Sequence, residues 1–222
     1  MIPDRKAFIR ANTRLKPVPL VPEISVYVAD EAVPIWQKTE DELDAMGLPP
    51  PYWAFAWAGG QALARHVLDH PEIVRGKRVL DIGAGSGLVG LAAVKAGAAD
   101  VLAADIDAFA CAAIRLNVAA NPWANDCAIG VTEEDMIGAA RAWDVILVGD
   151  LFYERPLAER LLAWLGPLGV TALLGDPGRT YFPKSGVEKL ASYSVQTTRD
   201  LEDREIRETG VYRLLPAAAA LG

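Results

Sequence analysis

The stretch Val79-Leu80-Asp81-Ile82-Gly83-Ala84-Gly85-Ser86-Gly87 decides the fold. An apolar run of strand length carries a carboxylate near its end and passes straight into a glycine turn. Leu88 to Ala96 then has the small, apolar composition of a helix packed on a sheet. Glycines in such a turn allow φ > 0 and let a ligand lie against bare backbone. The alternation continues downstream. Asp100 to Asp105 reads as a second strand, Ala108 to Ala120 as a helix, and Cys127 to Val131 as a third strand. Trp143 to Gly149 is a fourth, apolar enough to be buried on both faces. Pro156 to Leu165 is helical, Gly166, Pro167 and Gly169 mark a turn, and Val170 to Leu174 is a fifth strand. This order predicts an α/β fold with a mostly parallel, doubly wound sheet and right-handed crossovers. The more polar segments Ser192 to Thr197 and Gly210 to Leu215 suit an antiparallel edge.

Gly85, Gly87 and Gly90 spell GxGxxG, so a dinucleotide site has to be weighed, although the bare pattern is weak. Asp81 argues against it: a carboxylate two residues before the first glycine would repel a pyrophosphate. S-adenosylmethionine has no phosphate and carries an amino group and a sulfonium, which an acidic strand end would favour. Asp105, closing the next strand, can accept both hydroxyls of a ribose. Ile106 beside it offers an apolar face to adenine. Asp107 competes for the ribose but also suits the cap of the following helix. A tight strand-to-helix connection without a ligand is the alternative for the whole loop.

A chain of 222 residues with 52% hydrophobic and 23% charged residues is a single globular domain of ordinary composition. Lys and Arg number 22 against 29 Asp and Glu, a formal charge of −7 without a dense basic patch, which disfavours nucleic-acid binding. Cys111 and Cys127 suit reduced thiols in an intracellular protein. The uncharged stretch from Ala45 to Ala64 is broken by Pro49 to Pro51 and by Gly59-Gly60, so no membrane span is expected. Residues 1–50 differ in kind: a basic start (Arg5, Lys6, Arg10, Arg14, Lys16) reads as a solvated or substrate-contacting arm. Pro17, Pro19 and Pro22 follow in an extended piece, and Glu31 to Met46 suits an acidic helix. We therefore expect an N-terminal extension over 1–50, related to substrate, a catalytic domain over 51–216 and a frayed tail over 217–222. The location expected is cytoplasmic in a bacterium, or the mitochondrial matrix if the basic start is a targeting leader.

Five further segments carry a resemblance. They are Pro51-Tyr52-Trp53-Ala54-Phe55-Ala56-Trp57-Ala58-Gly59-Gly60-Gln61-Ala62-Leu63, Val74-Arg75-Gly76-Lys77, Asp105-Ile106-Asp107, Gly149-Asp150-Leu151-Phe152-Tyr153 and Gly175-Asp176-Pro177-Gly178-Arg179. With the glycine loop they resemble the electron-transfer flavoprotein β-subunit lysine methyltransferases, within the class I, Rossmann-like seven-strand protein lysine methyltransferases. The resemblance spans roughly residues 50 to 180. It implies transfer of methyl groups from S-adenosylmethionine to lysine ε-amines of the flavoprotein β subunit, with the ribosomal stalk protein as a secondary substrate; the displacement requires no metal, and a monomer is expected, although the sequence leaves the oligomeric state open.

The resemblance also implies roles. Asp150, with Tyr153 in the D-x-x-Y spacing, would act at the amine, and Trp57 would lie against the methyl donor. The cofactor set becomes Trp57, Asp81, Gly83, Ala84, Gly85, Asp105, Ile106, Asp135 and Met136; the substrate set becomes Trp53, Phe152 and Arg179. Each has a plainer reading: Asp150 as the cap of a helix starting near Glu154, the aromatics as core, Arg179 as the partner of Asp176. His66 and His70 stand four apart but lack the HExxH glutamate, and Pro71 ends the helix, so they read as structural. Asn121-Pro122-Trp123 follows a helix rather than the fourth strand, so a base-flipping amine methyltransferase is not indicated. The alternatives kept open are a methyltransferase acting on nucleic acid or a small amine, and a non-catalytic nucleotide-binding module.

Overall fold

The computed structural model describes residues 4–29, 50–124, 129–140, 142–196 and 206–216. The expected acidic helix over 31–46, Cys127 and the tail lie outside the described residues. Helix α1 (Arg5–Asn12) leads into a hairpin of β1 (Arg14–Val18) and β2 (Val21–Val28). Then come α2 (Ala58–Asp69), β3 (Arg78–Ile82), α3 (Leu88–Lys95), β4 (Asp100–Ala104), α4 (Ala108–Ala120), β5 (Ile129–Thr132), β6 (Val145–Gly149), α5 (Arg155–Leu168), β7 (Thr171–Asp176), β8 (Val187–Gln196) and β9 (Ile206–Leu214). The order in the seven-stranded sheet is β5-β4-β3-β6-β7-β9-β8, parallel except for β9, which runs antiparallel to both neighbours.

β3, β6 and β7 read as near-continuous apolar runs because both sheet faces are covered. Alternate residues serve different layers: Val79, Val145, Leu147 and Leu173 join the core with α2 and α3, while Leu80, Ile146, Val148 and Leu174 join the one with α5. The chain leaves β3 for β4 on one side and later returns to β6 on the other. In register, Ile82 pairs with Ala104 and with Val148, and Gly149 with Gly175, so four carboxyl ends are level at this change of direction. Ligands bind such sheets at that crevice.

Two differences from the sequence reading have local causes. α5 continues through Gly166 and Pro167 to Leu168 before Gly169 ends it in the left-handed region; a proline in the last turn forfeits only one helical bond. The basic start is a docked helix rather than a free arm, although its basic side chains remain exposed. Asp4 caps α1 through the Ala7 N–H at 2.9 Å, Ile9 is fully buried, and Phe8 meets Phe109 of α4 edge-on at 5.6 Å. The His66 imidazole lies 3.2 Å from the Tyr193 hydroxyl, tying α2 to β8. The hairpin is fastened by two asparagines of α4: Tyr27 N–H donates to Asn117 Oδ1 at 2.8 Å, and Asn121 Nδ2 donates to the Ser25 carbonyl at 2.7 Å.

Backbone-to-backbone packing joins α2 to the sheet. A Cβ added to Gly175 would stand 2.1 Å from the Gly59 carbonyl oxygen, and one on Gly149 would stand 3.1 Å from Gly60 Cα. Only glycine lets the first turn of α2 rest on β6 and β7. Gly175→Ala should therefore lose about 1–3 kcal/mol of stability by overpacking. Gly166→Ala, in α5 with nothing within 4 Å of the added carbon, should gain up to about 1 kcal/mol. Urea denaturation midpoints of the two variants check the contrast.

Candidate active site

At the level carboxyl ends lies a cavity of about 530 Å³. Its floor is the glycine loop. Gly85 has φ +52 and nothing within 4 Å of where a Cβ would be, so bare backbone forms the wall. Asp105 turns toward that wall: its Oδ2 accepts from Gly85 N–H at 2.8 Å and its Oδ1 from Asp107 N–H at 3.0 Å. Burial raises the Asp105 carboxyl above its ordinary value, partly offset by those two N–H groups. Ile106 is 75% exposed and presents its apolar side chain at the cavity edge. Asp107 also lines the cavity, yet its Oδ1 caps α4 through the Phe109 N–H at 2.8 Å.

The opposite wall is built by the end of β6. Among the described residues, Asp150 is the one non-glycine residue with positive φ, at +62°, a conformation that aspartate tolerates at a cost of about 1 kcal/mol or more. That twist keeps the carboxylate at the strand end. Its Oδ2 accepts from Gly59 N–H at 2.8 Å, in the first turn of α2, and its Oδ1 accepts from Arg179 Nε at 2.5 Å. α5 begins at Arg155 with Glu154 in the capping position, so Asp150 does not cap it. Arg179 bonds Asp176 through its backbone N–H, at 2.7 Å, and its side chain bonds Asp150.

Aromatic residues form the mouth. Tyr52 and Tyr153 lie 5.6 Å apart, Tyr52 and Trp57 6.0 Å apart, and Trp57 Nε1 donates to the Tyr52 carbonyl at 2.8 Å. Trp53 reaches the cavity from a stack on Phe109 at 6.1 Å. Burial pushes the Tyr153 phenol up to about 12, so its hydroxyl keeps its proton throughout the neutral range. Asp135 and Met136 line the far end, where Arg160 of α5 bonds Asp135 Oδ2 at 2.6 Å and lowers that carboxyl.

Three expected site residues stand elsewhere. Asp81 alternates with Leu80 and Ile82 along β3, which turns its side chain toward α3 and away from the cavity. It is 1% exposed, and its Oδ2 accepts from Gly90 N–H at 2.7 Å, bracing the loop from behind. Ala84 does not line the cavity; its N–H donates to the Ala104 carbonyl at 3.1 Å and ties the loop to β4. Phe152 is fully buried against Phe182 at 5.2 Å, because the turn at Asp150 sends the chain under the sheet. Gly59 and Arg160 were not read as site residues, since neither a helix backbone nor a basic residue on an amphipathic helix announces its partner in sequence.

Burial pushes the Asp81 carboxyl from 3.8 up to about 7. Between those values the native state holds a proton that the unfolded chain has released, so stability falls as pH rises through that window. Asp81→Asn keeps an acceptor for Gly90 N–H and removes the titration. Relative to the parent, its unfolding free energy should rise from about pH 4 to about pH 7 by on the order of 1 kcal/mol or more. Denaturation at both pH values reads this directly, and a pH-independent difference would rule it out.

Residues 62–152 match the family model described as Ribosomal protein L11 methyltransferase (PrmA). The fold is shared with the solved structure of magnesium protoporphyrin IX methyltransferase from Synechocystis PCC 6803 with bound SAM. That comparison has a TM-score of 0.52 and 13% identity, over 70% of this chain and 79% of that one. The electron transfer flavoprotein beta subunit lysine methyltransferase of Xenopus laevis is 38% identical, over 95% of this chain and 87% of its own length. The protein of the same name from Homo sapiens is 35% identical, over 96% of this chain and 83% of its own length. With sequence agreement along nearly the whole chain, on a sheet ordered for ligand binding at its carboxyl ends, the protein belongs to the electron transfer flavoprotein β-subunit lysine methyltransferase family.

Proposed function

We propose that the protein transfers methyl groups from S-adenosylmethionine to lysine ε-amines of the electron transfer flavoprotein β subunit. The observation that carries the reading is the placement of Asp105 and Asp150 on opposite walls of one cavity. Asp105, Ile106 and bare Gly85 fit an adenosine: hydroxyls for the carboxylate and an apolar face for the base, while the two arginines that line the cavity, Arg160 and Arg179, are bonded to Asp135 and Asp150. A ligand whose other end is cationic suits a cavity bordered by Asp105, Asp107 and Asp150. When bound, that donor supplies an electrophilic methyl carbon; the C–S bond breaks with its electron pair left on sulfur as the lysine nitrogen's lone pair forms the new N–C bond.

The chain's own residues do the positioning, which is most of the work in such a displacement. A lysine ammonium has a reference pKa of about 10.4 and must lose its proton before it can attack. Tyr52, Trp57 and Tyr153 form an apolar sleeve in which the charged form is disfavoured. Asp150 accepts a hydrogen bond from the amine and aims its lone pair into the cavity. Tyr153, protonated at neutral pH, serves as a hydrogen-bonding partner rather than a base. The names of the relatives support the protein substrate.

The test incubates the recombinant protein with labelled methyl donor and purified electron transfer flavoprotein, with ribosomal stalk protein and bulk RNA in parallel. Label on lysines of the flavoprotein β subunit is expected. Label confined to RNA, or to neither protein, would overturn the reading. Asp150→Asn tolerates the same backbone conformation, so it should keep donor binding by calorimetry and lose turnover by about 100-fold through misplacement of the amine. Asp105→Ala should weaken donor binding by about 1–3 kcal/mol.

A further inference from the structure

The turn Asp176-Pro177-Gly178-Arg179 is a built device whose purpose the reaction above leaves open. Asp176, 1% exposed, uses one oxygen, Oδ1, to accept from both Gly178 N–H and Arg179 N–H, each at 2.7 Å. That pair of hydrogen bonds from backbone folds the end of β7 back so that Arg179 reaches Asp150. Its guanidinium carbon stands 5.8 Å from the centre of the Trp57 ring, inside the aromatic mouth. Arg179 lines the cavity, and its side chain is 19% exposed against 4% for that of Asp150. A full positive charge therefore sits where a second positive charge, the incoming lysine, has to be accommodated.

Electrostatics give this placement a direction. A carboxylate alone beside a lysine stabilises the ammonium, the form that cannot react. A guanidinium on the same carboxylate offsets that attraction and opposes a further cation. We propose that Arg179 is a positioning residue that makes Asp150 an acceptor for the neutral amine, by offsetting the charge that would otherwise hold the bound lysine as ammonium. The ammonium gives its proton to solvent on entry, and the amine then donates a hydrogen bond to the shared carboxylate. This rests on the lysine reading of the preceding section.

Among the described residues, the other charged or titratable groups around this point include Asp105 from β4, Tyr153 from the β6 turn with Glu154 beside it, Tyr52 from the segment before α2, and Asp176 and Tyr212 from β7 and β9, with Asp107, Glu134, Asp135 and Arg160 also lining the cavity. Burial pushes Asp176 up to about 6, so its titration has to be told apart from that of the substrate. A lysine substrate and one carrying S-aminoethylcysteine at the target position, whose amine is less basic, do so: only a limb that belongs to the amine follows the substrate.

The experiment measures kcat and KM against pH for the parent enzyme, Arg179→Met and Arg179→Lys, with both substrates. In the parent, the acidic limb of kcat should move to lower pH with the less basic amine. In Arg179→Met the limb should move up by about one pH unit. kcat below the limb then falls about tenfold and recovers at high pH, while KM does not rise. Arg179→Lys, which keeps a positive charge, should restore part of the shift. A parent limb that ignores the amine, an Arg179→Met loss equal at every pH, or a gain in kcat/KM at all pH values would each overturn the inference; the last would instead make Arg179 a latch. A parent enzyme inactive on every lysine substrate would overturn the substrate reading itself, an outcome distinct from an active parent whose limb Arg179→Met leaves in place.

Discussion

Backbone lies against backbone where Gly59 meets Gly175, and much of the site depends on that contact. Because neither residue has a side chain, the first turn of α2 settles directly on the ends of β6 and β7. The approach brings the Gly59 N–H within 2.8 Å of Asp150, at the end of a helix whose dipole favours a negative charge. It also sets Trp57, which precedes the helix, at the mouth of the cavity. A larger residue at either position would lift the helix, and the acidic wall and the aromatic mouth would part together.

The cavity is organised by a division of labour among carboxylates. Asp81 and Asp176 are almost wholly buried and spend oxygens on backbone N–H groups, so they shape the glycine loop and the β7 turn. Asp105 and Asp150 take backbone N–H groups too, but they border the space where ligands fit. The net charge of −7 thus mixes acids that build the site with acids that serve it. Desolvation explains why Asp81, Asp105 and Asp176 all titrate above their ordinary value. Of the three, only Asp105 borders the cavity, where a cationic ligand end would relieve part of that burden.

Much of this architecture was legible because it is local. β3 and α4 have the bounds that their composition suggests, and the glycine turn between β3 and α3 is visible in any strand-to-helix reading. The position of Asp105 at a strand end followed from the same periodicity. The direction of Asp81 was also within reach: a period of two places it opposite Leu80 and Ile82, and their burial against α5 assigns it to α3. Phe152 was harder. Its descent into the core follows from the left-handed turn at Asp150, a conformation that an aspartate does not announce in sequence as a glycine at that position would. The start of the chain misled because a cluster of basic residues hides the apolar pair Phe8 and Ile9 that docks α1 on α4.

By itself, then, the sequence determined the alternation of strands and helices, the glycine loop, and the carboxylates available at strand ends, since each depends on periodicity and backbone freedom within a few residues. Only the tertiary structure decided which of those carboxylates face the cavity and what holds them. Gly59 and Asp150 are 91 residues apart and Asp150 and Arg179 are 29 apart. Contacts over such distances follow from how the helices pack on the sheet, and a linear pattern carries no record of which side chain will arrive opposite which.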